Sequence, residues 1–139
     1  MKNALFQLVK QRSQGCCEYC LLPELFEVPF QIDHIIAEQH GGRTLEQNLA
    51  YSCTPCNKFK GPNIASLDPD RLPYQAILLF NPRSDLWKEH FKLEGELIVG
   101  KTSTGRVTVS LLQFNGVKQR RLRKMLMREG LYPPPHYQP

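Results

Sequence analysis

Cys17-Glu18-Tyr19-Cys20 and Cys53-Thr54-Pro55-Cys56 repeat one spacing; they bracket Asp33-His34 and Asn48, and Asn57 directly follows the second pair. A gap of two residues lets both thiolates of a tight turn reach one ion at a Zn–S distance of about 2.3 Å. Cys17, Cys20, Cys53 and Cys56 therefore offer the four sulfurs of a closed tetrahedral zinc site. Such a site leaves no position open for substrate. Zinc is expected to hold the fold, and chemistry falls to the residues that the two turns gather, Asp33, His34, Asn48 and Asn57. The fifth cysteine, Cys16, has no identifiable base partner and reads as a small packed thiol.

Working outward, Pro23 and Pro29 break helix after the first pair, and Phe30-Gln31-Ile32 with Ile35-Ile36 reads as a strand carrying Asp33-His34 near its middle or end. Residues 38–47, with Gly41-Gly42, read as loop; Leu49 to Ser52 makes a second short strand, and a helix from Pro55 to Lys60 ends at Gly61-Pro62. Upstream, Leu5 and Val9, with Ala4 and Leu8, have helical spacing within residues 2–13. Downstream, residues 68–73 are a turn-rich connector and Tyr74 to Phe80 is a short helix or strand. Leu86 to His90 reads as a helical turn whose Trp87 and His90 are core, and Phe91 to Val99 as a hairpin turning at Glu94-Gly95. Two helices follow, Thr104 to Phe114, capped near Thr102 or Thr104, and Val117 to Arg128, closed by Gly130. The tail Pro133-Pro134-Pro135 is expected to be extended and loose.

A chain of 139 residues with 41% hydrophobic content suits one ordinary domain with a moderate core. The expected class is α+β, with a zinc-stapled core over residues 1–66 and a mainly helical extension over 67–139 packed on it. No apolar run of about 20 residues exists, and residues 1–11 lack the pattern of a signal peptide. A soluble, cytoplasmic protein without a membrane partner is expected, and in a reducing compartment two tight cysteine pairs favour metal over disulfides.

The formal charge of +5 is unevenly spread: residues 1–100 carry 10 Lys+Arg against 12 Asp+Glu, whereas residues 101–139 carry 8 against Glu129 alone. A basic arm of this density suits a phosphate backbone, whose binding is largely counterion release. Arg120, Arg121, Arg123 and Lys124, beside the narrow apolar stripe of Leu122, Met125 and Leu126, are the candidate contacts; a solvated helix face is the plain alternative. Lys60 could likewise reach a phosphate or serve its own helix terminus. A literal match to the phosphate-loop pattern, Gly95 to Thr102, is set aside. Its interior, Leu97-Ile98-Val99, is β-favouring and is itself the strand, and the only later carboxylate side chain is Glu129.

Phosphodiester hydrolysis needs a base, a metal and phosphate contacts, and the bracketed residues can supply them. An imidazole such as that of His34 can take a proton from water, while Asp33 and Asn57 offer hard oxygen ligands for a magnesium-type ion. At these residues the chain resembles the HNH endonucleases, whose core is a ββα-metal fold. The likeness rests on Cys17-Glu18-Tyr19-Cys20, Gln31-Ile32-Asp33-His34-Ile35-Ile36, His40-Gly41-Gly42, Glu46-Gln47-Asn48-Leu49-Ala50 and Cys53-Thr54-Pro55-Cys56-Asn57-Lys58-Phe59-Lys60-Gly61. Leu79-Phe80-Asn81-Pro82-Arg83, with Trp87, His90-Phe91 and the run from Gly100 to Arg106, looks like the extension of one bacterial branch.

The resemblance implies a metal-dependent enzyme that hydrolyses DNA phosphodiesters. His34 would be the general base, Asp33 and Asn57 would hold magnesium or manganese, and Asn48 would tie the loop that positions His34. Asn57 stands where the family often has histidine, a variant the family also uses. Double-strand cleavage would call for two copies of the site, as in a homodimer or a larger complex. His40 could touch substrate or the metal shell, or sit in an exposed loop, and for Arg83 and Arg106 no chemistry separates phosphate contact from folding. The alternative of another class is a non-catalytic zinc module that binds nucleic acid through the basic helix. It has no use for an Asp33-His34 pair, and a test of metal-dependent nicking separates the two.

Overall fold

The computed structural model describes residues 3–25, 29–71 and 75–137. Lys2 of the first expected helix, and residues 72–74 at the end of the connector and the start of the next element, lie outside that description. Helix α1 (Asn3–Arg12) buries Val9 and sets Phe6 edge-on against Tyr51 at 6.0 Å, then delivers the chain to the first cysteine turn. Strands β1 (Gln31–His34) and β2 (Leu49–Ser52) pair antiparallel, with Asp33 opposite Ala50 and His34 opposite Leu49. The period of two along β1 sends Asp33 inward and its neighbour His34 to the other face, where it is half-buried. All four residues of β2 are buried. Helix α2 (Thr54–Lys60) follows directly, with Pro55 in its first turn, where the missing N–H costs nothing, and stops at Gly61. Two strands and a helix thus form the ββα unit.

Strands β3 (Ala65–Leu67) and β4 (Ala76–Leu78) make a second two-stranded sheet, with Ser66 opposite Ile77. No strand is expected from the sequence before the connector, because three residues are too few to display alternation and β3 exists through its pairing. After helix α3 (Trp87–His90), β5 (Phe91–Glu94) and β6 (Leu97–Gly100) form a hairpin. It turns at Gly95-Glu96, one residue later than expected, with Gly95 at φ 59°. Helix α4 (Ser103–Leu111) is capped by Thr102, whose hydroxyl accepts a hydrogen bond from the Gly105 amide at 3.0 Å. Helix α5 (Val117–Arg128) follows.

One apolar cluster joins Val9, Tyr19, Leu49 and Tyr51 to Phe80, Phe91, Ile98, Val107, Leu112 and Phe114. Phe91 sits at its centre, with ring centroids 5.2 Å from Phe80, 4.9 Å from Trp87 and 5.7 Å from Phe114. The α+β class and the ββα unit match the expectation; the tail does not. Tyr132 is buried and Tyr137 packs edge-on against Trp87 at 5.5 Å, so two aromatic anchors dock a segment that its prolines marked as loose. No helix among the described residues is long and apolar enough to cross a membrane.

Candidate active site and metal centre

The Sγ atoms of Cys17, Cys20, Cys53 and Cys56 all lie within 4.8 Å of one another, and all four residues are buried. Four sulfurs bound to one zinc stand about 3.8 Å apart along the tetrahedron's edges. The separation of Cys20 Sγ from Cys53 Sγ is 3.7 Å. Donor set and geometry both fit zinc in a closed site. Within the cluster, burial works to raise the Cys17 thiol, but hydrogen bonds from Cys20, Cys53 and Cys56 outweigh it and hold Cys17 well below the usual range. The same bonding raises Cys53, and burial foremost raises Cys56. A zinc ion held by these four sulfurs would bind them as thiolates.

The first cysteine turn is held from several directions. The Cys17 amide donates to Leu22 O at 2.8 Å, and the Cys20 amide faces Cys17 Sγ at 3.5 Å. From the C-terminal half, Trp87 Nε1 donates to Tyr19 O and the Tyr132 hydroxyl to Cys20 O, both at 2.8 Å. Cys16 is buried outside the cluster, and burial pushes its thiol up to about 11, which leaves it unreactive.

Asp33 is 4% exposed, and its carboxylate faces α2. The Tyr19 hydroxyl donates to Oδ2 at 2.6 Å, while Lys60 Nζ lies 3.3 Å from Oδ1 and 3.2 Å from Oδ2. Lys60 also donates to the carbonyls of His34 at 3.2 Å and Ile35 at 3.0 Å. At 1% exposure, Lys60 is therefore a buried partner of the strand and not the phosphate contact or helix-terminus charge considered from the sequence. Burial raises the Asp33 carboxyl above its usual value, and Lys60 is the largest influence opposing that rise. Asn57 lies one turn earlier on the same side of α2, as Gln31 does on β1, and its Nδ2 donates to Gln31 Oε1 at 2.6 Å. Asn57 Oδ1 takes no hydrogen bond from the described residues. A carboxylate offers about four lone-pair positions, of which Tyr19 and Lys60 occupy three. The remaining position on Asp33 and the Asn57 carbonyl are hard oxygens along one helix–strand seam, the donor type that a magnesium-type ion takes.

On the opposite face of β1, His34 Nε2 is 2.9 Å from Thr44 Oγ1. The loop that carries Thr44 is folded back by Asn48, whose Oδ1 accepts from the Ile36 amide and whose Nδ2 donates to Ile36 O and Arg43 O, each at 2.9 Å. Gly42 is required at the crossing. A Cβ there would stand 1.7 Å from Ile36 O and 2.9 Å from Asn48 Nδ2. The structure thus gathers Asp33 with Lys60 and Tyr19, sets Asn57 on the same seam, and places His34 beside the loop clamped by Asn48. Tyr19, Gln31 and Thr44 were not singled out from the sequence. Only the position of Tyr19 between two zinc ligands offered a signal.

The basic helix divides in two. Arg120, Arg121 and Lys124 are exposed, Arg120 Nη2 lying 3.3 Å from Glu96 Oε1. Arg123 is 2% exposed, and its guanidinium donates to Glu96 O at 2.8 Å, Phe114 O at 2.7 Å and Asn115 Oδ1 at 2.9 Å. Its expected nucleic-acid contact is corrected accordingly: its donors close the end of the β5–β6 hairpin onto the α4–α5 link. Arg83 pairs with Glu18 in the first cysteine turn, and Arg106 with Asp68 at 3.0 Å, so both join distant parts of the chain. His40 is exposed in a short 3-10 turn.

Residues 17–63 match the family model described as HNH endonuclease. No curated protein matches the chain, and no solved structure does. The matched segment holds both cysteine pairs, Asp33-His34, Asn48, Asn57 and the complete ββα unit. The similarity to the HNH endonuclease model is thus confined to residues 17–63, about a third of the chain, and it covers the part that carries the cysteine pairs and the ββα unit.

Proposed function

We propose that the protein is a metal-dependent endonuclease that hydrolyses DNA phosphodiester bonds. The observation that carries this reading is the division of the ββα unit into a closed four-sulfur site and, apart from it, a histidine and two hard oxygen donors. In the tautomer whose Nε2–H donates to Thr44 Oγ1, 2.9 Å away, His34 has Nδ1 left to take a proton from the attacking water. Asn48 clamps the loop that carries Thr44 and so limits where the imidazole can turn. Asp33 and Asn57 would hold a magnesium or manganese ion, which when bound supplies positive charge to the phosphate and the leaving oxygen. Arg120, Arg121 and Lys124 contribute sequence-independent contacts to the phosphate backbone.

Nicking of supercoiled plasmid by zinc-loaded protein, with magnesium or manganese added, tests the reading. Cleavage is expected from the parent and is lost in His34→Ala and on chelation of the divalent ion, with zinc content and circular dichroism of the variant unchanged. Cleavage by His34→Ala at the parent rate would remove His34 as the base. Absence of any metal-dependent nicking, with salt-sensitive DNA binding retained, would make the protein a binding module instead.

A further inference from the structure

We infer that Tyr19 is a positioning residue that ties the zinc site to the divalent-ion site, through its hydrogen bond to Asp33; this rests on the assignment of Asp33 as a metal ligand. Tyr19 lies between Cys17 and Cys20, two members of the four-sulfur cluster, so zinc held there would fix its backbone from both sides. The Trp87 indole fixes its carbonyl as well, at 2.8 Å. Its side chain is 0% exposed and runs inward, where the hydroxyl donates to Asp33 Oδ2 at 2.6 Å. That is the shortest hydrogen bond the carboxylate makes, against 3.2 Å and 3.3 Å for Lys60.

The ammonium of Lys60 is centred between both carboxylate oxygens and two main-chain carbonyls, an arrangement that neutralises Asp33 without fixing its rotation about Cβ–Cγ. The phenol is directional. By engaging Oδ2 it leaves an open lone pair on Oδ1, the oxygen that has no other partner than Lys60 among the described residues. Partners of this kind, one bond removed from a metal, usually hold their ligand's orientation strongly enough that their loss weakens metal binding by about 10- to 100-fold. The zinc site, which is closed to substrate, thereby reaches the reacting centre through a single side chain.

Tyr19→Phe removes the hydroxyl and keeps the ring that fills the core. Zinc-loaded parent, Tyr19→Phe, Asp33→Asn and the double variant are compared by Mn2+ binding, followed by electron paramagnetic resonance without DNA, and by the manganese dependence of nicking. The expected result is one zinc per chain in every protein and an Mn2+ Kd raised about 10- to 100-fold in Tyr19→Phe. No further weakening is expected when Tyr19→Phe is added to Asp33→Asn, because the two act through one hydrogen bond. An Mn2+ Kd in Tyr19→Phe within about twofold of the parent overturns the inference, as does equal weakening in both backgrounds, which marks a general loosening of the fold. Loss of zinc from Tyr19→Phe also overturns it, since the hydroxyl would then serve the cysteine turn. If Asp33→Asn leaves Mn2+ binding intact, the assignment of Asp33 fails and the inference with it. If Asp33→Asn abolishes binding and Tyr19→Phe does not disturb it, the inference alone fails.

Discussion

Replacing Lys60 by methionine keeps most of the side-chain volume and removes the cation that pairs with Asp33 in the ββα core. The carboxylate stays buried, the carbonyls of His34 and Ile35 lose a donor, and Tyr19 still holds Oδ2. Breaking a buried ion pair from one side costs about 3–5 kcal/mol, and with one strong donor retained we expect about 4 kcal/mol near neutral pH. The cost depends on pH in a defined sense. Burial already raises the Asp33 carboxyl, and Lys60 is the main influence holding it down, so its removal raises the carboxyl further. A carboxyl higher in the fold than in the unfolded chain favours folding while protonated, and that contribution is lost as pH rises through the folded value. The deficit of Lys60→Met therefore shrinks as pH is lowered from neutral toward mildly acidic. Urea unfolding of zinc-loaded parent and variant at both pH values measures this; at about 2 kcal/mol per M, the neutral-pH midpoint falls by about 2 M. A deficit below about 1 kcal/mol, or one that grows on acidification, would refute the reading of Lys60 as the internal counter-ion of Asp33.

Changing Arg120, Arg121 and Lys124 together to glutamine should flatten the dependence of log K for DNA on log salt by about 0.9 for each phosphate no longer neutralised. Arg123→Gln should leave that slope alone and lower stability by about 2–4 kcal/mol, since it strips donors from the buried Phe114 carbonyl and from the half-buried Glu96 and Asn115; urea midpoints read the difference. Gly42→Ala forces the loop away from Ile36 O, with an overpacking cost of about 1–3 kcal/mol. Nicking should fall sharply in that variant while zinc content stays constant. A strong chelator that strips zinc should unfold the β1–β2 region cooperatively, seen as loss of circular dichroism that added magnesium does not restore.

What was legible in the sequence is what local geometry writes into spacing. Two thiolates on one ion demand a short gap, so the cysteine pairs announced the four-sulfur cluster, and the short strands and α2 between and after them followed from alternation and from Pro55 and Gly61. Charge was legible as composition but not as position. Lys60 and Arg123 were read as surface cations because most are. Each is buried because acceptors remote in sequence converge on it: Asp33 is 27 residues from Lys60, and Glu96 is 27 and Phe114 nine from Arg123. No pattern local to either residue records such convergence. Strand β3 and the docked tail were hidden for the same reason, since each owes its conformation to a partner, β4 in one case and the aromatic anchors in the other.

The grip of the C-terminal segment on the first cysteine turn bears on how the chain matures. Cys20 and Tyr132, joined by the hydrogen bond from the tyrosine hydroxyl to the cysteine carbonyl, are 112 residues apart. At about 5–20 residues per second, a ribosome needs several seconds to more than 20 seconds to travel that distance. All four thiols have left it long before the residue that locks the turn. From the synthesis of Cys56 onward the four nascent cysteines are able to capture zinc, yet the carbonyls of Tyr19 and Cys20 still await Trp87 and Tyr132. Metal capture can come early in synthesis, and the last protection of the cysteine turn comes only once Tyr132 has been made and docked.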